Sequence, residues 1–470
     1  MERKLKIGFF CNTNNFPFSY AYTLKKLGHD VIVVVTEKYL LHRPESRFPE
    51  FKNYPNWIID VSHLEEEDFM FYNPILIPTI DKLSKCDLVF LNSYGISYQH
   101  LIGKPSIAMF TGFDLSNYAN YDSIISRTAC FEESYKQSKG GKRYLKKLTT
   151  FINLQRSGIK NSLLFFWTKK GILPEEERLL SSIKVDEGKR FTNQSASLDV
   201  IDYTPYPDNN TIRVFNIARF TWKLPIEIGR SHMDYKGSDI MIKGLAQFYQ
   251  KTGIKLDIVF VKKGLHLQET YDLIKECKLD SQITWLDEMS QSDFWEECKK
   301  ADIIFDQLSP TGTTGLAPLD AMTIGRPVIA NPRQLDDEVP ILRAQTPEQV
   351  AKLLETLVSD KSKRIEIGIK SHEYAKEFFS IEKNAESILN SYHHYTQRSS
   401  IAPVFLNKYL QKVKWQLGEA ISSIINNYLP KIKWRLLGYL SYLKVITKQR
   451  KKLSNKLREI GILRKRKKRS

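Results

Sequence analysis

At 470 residues the chain is long for a single hydrophobic core, which points to two domains plus an extension. Hydrophobic residues at 42% and aromatics at 12% exclude a disordered protein. The formal charge of +18 is localised, because residues 398–470 hold 20 Lys/Arg against 2 Asp/Glu and residues 1–397 carry 51 of each sign, which disfavours a basic nucleic-acid-binding body.

The opening apolar run, Ile7 to Cys11, is too short for a signal peptide. "KLKIGFF" reads as a strand, "NTNNFPF" as a loop and "SYAYTLKKLGHD" as a helix stopped at Gly28. "VIVVV", "CDLVFLNS", "KPSIAMFTG" and "NSLLFFWT" read as further strands, and residues 121–160 as an aromatic, lysine-rich helical region. Apolar runs without alternation imply strands buried on both faces, hence a parallel sheet, and none is long enough to span a bilayer. Five scattered cysteines without a CxxC pair fit reduced thiols in a cytosolic protein.

"DYTPYPDNN" has the composition of a linker, and the alternation then restarts. "TIRVFNIAR", "KLDIVFV", "QITWLD", "ADIIFDQLSP" and "PVIA" read as strands. "DIMIKGLAQFYQKTG", "LQETYDLIKECKL", "SQSDFWEECKKA" and "TPEQVAKLLETLVSD" read as helices. The expected architecture is α/β, with two Rossmann-like doubly wound domains facing a cleft. Residues 1–203 form the first and 204–372 the second. A helix over 373–397 crosses back to the first. Residues 398–470 form a basic amphipathic helical tail.

In that tail Leu406, Leu410, Val413, Leu417, Ile421, Ile424 and Tyr428 step by three or four. Lysines and arginines fill the opposite face, with Trp415 and Trp434 among them. The pattern fits a helix lying in an anionic membrane interface. Its last residues, "RKRKKRS", also match a nuclear-localisation or RNA-binding run.

The chemistry concentrates in "GTTGLAPLDAMTIGRPVIA", residues 312–330. A Gly/Thr turn leaves a buried strand and opens a helix, at the sheet edge where α/β folds bind ligands. The N–H groups of Thr314, Gly315 and Leu316 suit phosphate oxygens, and Asp320 suits a neutral diol such as a ribose. An ordinary β–α connection with a dipole-stabilising acid would share this pattern. Arg219, just past a strand, and Lys236, just before a helix, could neutralise a departing diphosphate.

These segments, in this order over residues 211–395, resemble the GT-B glycosyltransferases, specifically glycosyltransferase family 4, the group 1 transferases. That family runs from a strand ending in "GR", through "KG" and a helix, to an acid-x7-acid motif of the form "EGFGLPLLEAMACGTPVVA". The resemblance implies that Arg219 and Lys236 hold a donor diphosphate, with Asp320 on the ribose in place of the family's second glutamate. It makes these three the catalytic residues, with Thr314, Gly315 and Leu316 completing the nucleotide site. Two departures stand out: Gly312 replaces the first acid, and the loop after Arg219 is long, with Lys223 as a further phosphate candidate.

The resemblance also implies retention of anomeric configuration and no metal or other cofactor, the nucleotide-sugar being a substrate. Acceptor candidates lie on loops after the first-domain strands: Asn12, Asn14, Asn15, Thr111, Gly112 and Asp114. Taken singly, each reads first as a loop cap or Asx turn. The expected protein moves a sugar from a nucleotide-diphosphate-sugar to a glycan or lipid-linked acceptor in surface-polysaccharide assembly. It would work in the cytoplasm, on the inner face of the membrane and without nucleic acid. The alternatives are a catalytically impaired GT-B scaffold subunit and a nucleotide-sugar epimerase.

Overall fold

The apolar runs of the first 190 residues build one parallel sheet. Its strands are β1 (Lys6–Phe10), β2 (Asp30–Val35), β3 (Ile58–Asp60), β4 (Leu88–Asn92), β5 (Ser106–Met109), β6 (Leu164–Phe166) and β7 (Arg190–Phe191), in the order β3-β2-β1-β4-β5-β6-β7. The computed structural model describes residues 3–192, 195, 196, 198, 200–223, 235–309, 315–332, 335 and 337–398. Ile7 pairs with Val31 on one side and Leu88 on the other. Every residue of β4 is buried, as expected for an unbroken apolar run sandwiched between helices.

A second parallel sheet follows the linker, with β8 (Arg213–Asn216), β9 (Asp257–Val261), β10 (Ile283–Leu286), β11 (Ile303–Phe305), β12 (Val328–Ala330) and β13 (Leu342–Arg343). Its order is β10-β9-β8-β11-β12-β13. Both sheets therefore reverse direction once, between β1 and β4 and between β8 and β11. Those are the switch points at which doubly wound sheets bind ligands.

Helix boundaries follow local chemistry. The helix Ser238–Thr252 ends at Gly253, whose φ of 69° lies in the left-handed region. Thr346 caps the helix Pro347–Ser359 by accepting from the N–H of Gln349. The region 121–160 is three helices, Ser123–Thr128, Glu133–Gln137 and Lys139–Asn161. Ser138 separates the last two, its hydroxyl accepting from the N–H of Gly141 as an N-cap.

The Gly-Arg-Pro step after the helix Ala317–Ile324 has a structural role. Arg326 is fully buried and donates to the carbonyls of Thr204 (2.9 Å), Pro205 (3.1 Å) and Lys299 (2.7 Å), tying the linker to the second sheet.

The chain then returns. The helix Ile381–Arg398 places Ile381, Ala385, Ile388, Leu389 and Tyr392 in one apolar cluster with Ile7, Phe9 and Phe18 of the first domain. Where the two crossings meet, the Ala196 N–H donates to the Phe379 carbonyl at 2.9 Å. Ser195 Oγ lies 2.6 Å from the Tyr20 hydroxyl and accepts from Asn384 Nδ2 at 3.0 Å. Among the described residues no helix is long and apolar enough to cross a membrane. The tail expected to be amphipathic, like Gly312, Thr313 and Thr314, lies outside the described residues.

Candidate functional site

The carboxyl edge of the second sheet gathers the cations. Asn216, the last residue of β8, folds its amide over the following turn, donating to the Ala218 carbonyl and accepting from its N–H. Arg219 follows, exposed. Phe220 anchors the turn: its N–H donates to Lys263 and its carbonyl accepts from His266. Its ring packs on Phe260 and Trp285. A Cβ on Gly264 would sit 2.4 Å from the Phe220 carbonyl oxygen, so only glycine allows the loop after β9 to come this close.

Lys236 enters the same edge. Its N–H donates to the Thr221 carbonyl at 2.8 Å, and its carbonyl accepts from Leu308 at 3.0 Å. Gly237, at φ 70°, lies so close to the Leu308–Ser309 backbone that a Cβ would approach it to 2.8 Å. The Lys236 ammonium donates to Gln307 Oε1 at 3.0 Å. Ser238 Oγ donates to the Arg219 carbonyl, so the two motifs, 17 residues apart, are joined directly.

Asp320 stands in the first turn of the helix Ala317–Ile324, on the element that follows β11. It is buried. Its Oδ2 accepts from the Trp295 indole N–H at 2.9 Å and from Gln291 Nε2 at 3.5 Å. Its N–H is used within the helix start, donating to the Leu316 carbonyl. A Cβ on Gly315 would meet none of the described residues within 4 Å. Leu316 packs against apolar clusters of both domains, which puts this helix start at their boundary. Lys223 lies with its ammonium 5.5 Å from the Trp222 ring, and the Trp222 indole donates to Thr270.

Two acids at strand exits were missed in the sequence. Asp306 follows β11 directly and is buried, its Oδ2 without a hydrogen-bond partner among the described residues. Burial pushes its carboxyl up to about 6, against the opposing pull of Lys236. Glu37 follows β2. It accepts from the N–H groups of Asn12 and Thr36, and burial raises its pKa. A charged residue ending an apolar strand ("IIFDQ", "VVVTE") was the available signal.

On the first-domain edge, Asn12 and Asn15 are structural brackets. Asn12 accepts from the Phe18 N–H and donates to Asn15 Oδ1 and the His42 carbonyl. Asn15 Nδ2 donates to the carbonyls of Leu41 and Arg43 and to Ser46 Oγ. Asp114 is buried and accepts from Ser93, Thr111 and Asn92. Asn14 is exposed, while Thr111 and Gly112 are half-buried. Burial and the Lys263 charge of the second domain both lower the pKa of His42.

Residues 228–373 match the family of glycosyl transferases group 1. No curated protein matches the chain in sequence. Among solved structures it is similar to a glycosyltransferase from Rickettsia africae, at 16% identity and TM-score 0.55 over 84% of this chain and all of that one. It is similar also to a sucrose-phosphate synthase from Thermosynechococcus elongatus, at 13% identity and TM-score 0.54 over 84% of this chain and all of that one. HepE of Anabaena, solved with UDP and glucose, is 14% identical with TM-score 0.53 over 82% of this chain and all of its own. The chain thus carries the fold of the GT-B glycosyltransferases and, over residues 228–373, a group 1 glycosyl transferase domain.

Proposed function

We propose that the protein transfers a sugar, with retention of anomeric configuration, from a nucleoside-diphosphate donor to a glycan or lipid-linked acceptor. The observation that carries this reading is the meeting of the two basic motifs at the switch point of the second sheet, where Ser238, two residues after Lys236, donates to the Arg219 carbonyl. Arg219, Lys236 and the N–H groups at the start of the helix Ala317–Ile324 would hold the diphosphate, and Asp320 the ribose. Their positive potential stabilises charge as it develops on the leaving diphosphate, which needs no metal ion. The acceptor hydroxyl attacks from the same face and its proton passes to the leaving phosphate. HepE was solved with UDP-glucose, which makes uridine the first base to test here.

The acceptor would approach from the first-domain edge, at Asn14, Thr111 and Gly112. Surface-polysaccharide assembly at the cytoplasmic side of a membrane is the setting that the basic tail suggests.

Calorimetry against UDP, GDP and their sugars tests the donor half, and NMR of the product anomer tests retention. Material that ignores every nucleoside diphosphate would overturn the reading. Gly312 in place of an acid supports a second one, a non-catalytic membrane scaffold. Asp320→Ala separates the two, because a scaffold's assembly would not respond to it.

A further inference from the structure

Asp320 is held by a neighbour that no motif includes. The Trp295 side chain is nine-tenths buried and its only hydrogen-bonding atom donates to Asp320 Oδ2 at 2.9 Å. A carboxylate accepting an indole N–H inside a core cannot rotate freely without leaving a buried polar atom unmade. The other face of the arrangement belongs to the first domain. The guanidinium of Arg47, buried at the end of the helix Pro44–Arg47, lies 5.7 Å from the Trp295 ring centroid, within cation–π range. Ser46, its neighbour, accepts from Asn15 Nδ2 at 2.9 Å. A continuous set of contacts therefore runs from the switch-point loop of the first sheet to the acid of the second.

We propose that Trp295 is a positioning residue that sets the Asp320 carboxylate for ribose, and that Arg47 makes this setting depend on the first domain. The inference rests on Asp320 being the ribose-binding acid. The coupling between the two domains is measurable as a change in ribose discrimination.

The full-length protein is titrated calorimetrically with UDP and GDP and with their 2′,3′-dideoxy counterparts. The readout is the ratio of ribo to dideoxy affinity, which a loss of folded protein would not move. Asp320→Ala is expected to lower that ratio about tenfold, the scale of one hydrogen bond to a charged group. Trp295→Phe, which keeps the ring and loses the donor, is expected to lower it roughly threefold to tenfold and to add nothing in the Asp320→Ala background. Arg47→Met is expected to lower it about threefold, in line with an exposed-to-buried cation–π contact.

An unchanged ratio in Trp295→Phe beside a fallen one in Asp320→Ala overturns this proposal and leaves the donor reading intact. An unchanged ratio in Asp320→Ala removes the ribose role itself. Should Trp295→Phe not fold, Arg47→Met carries the test from the other domain, and an unchanged ratio there overturns the dependence on it.

Discussion

The Lys236 ammonium donates to Gln307 Oε1 at 3.0 Å, so the cation of one β–α unit is oriented by the exit of the adjacent strand. Orientation before ligand arrival reduces the entropy lost on binding. Lys236→Ala and Arg219→Ala should each weaken nucleoside-diphosphate binding roughly 10- to 100-fold, the range for hydrogen bonds to charged groups. Titration calorimetry measures this. Nucleoside binding without phosphates should be unaffected.

Asp306 makes stability pH-dependent. Burial raises its carboxyl to about 6, so the native state holds its proton at pH values where the unfolded chain has released it. The stabilising contribution is complete below the usual carboxylate value near 3.8 and is lost as pH rises through about 6. Asp306→Asn should therefore gain about 3 kcal/mol at pH 7.5 relative to wild type, and flatten the slope between pH 4 and 6. Denaturant unfolding at several pH values reads both.

Gly264 is confined by geometry. At φ 135° it occupies backbone space that L side chains rarely adopt, and a Cβ would sit 2.5 Å from the Phe220 nitrogen. Gly264→Ala should cost about 3 kcal/mol, since strain and a backbone clash add. Because Phe220 follows Arg219, nucleotide affinity should fall with stability. A Gly253→Ala control, also at positive φ (69°) but with no neighbour within 4 Å of the added Cβ, should lose only stability.

The tail carries the whole charge excess. Protein ending at residue 397 should lose co-sedimentation with vesicles containing anionic lipid, and the full chain should lose it as salt is raised, on the scale of about 1 kcal/mol per cation engaged. Equal sedimentation of both forms would remove the membrane anchor. Residues 1–397 form a compact unit of their own, so the shortened protein is a fair comparison.

The unbroken apolar runs made the central strands legible, because strands covered on both faces exclude polar residues. The edge strands β3, β7 and β13 were not. Two or three residues such as Arg190–Phe191 carry no period to detect. At the site, "KG" just before a helix was legible as local chemistry, while the Gly/Thr turn at 312–314 lies outside the described residues. Trp295 and Gln307 were not, since their meaning comes from neighbours distant in the chain: Asp320 for Trp295, Lys236 for Gln307. The same holds for Asn12 and Asn15, whose amides close loops with residues 26 to 31 positions away.

The polypeptide passes between its halves twice, outward through the linker near Tyr203 and back through the segment before Ile381. Proteolytic nicking of the linker would therefore not separate the fragments under native conditions, since the returning helix stays buried in the first half. Such a nicked molecule should migrate as one particle in gel filtration and as two pieces only in denaturant.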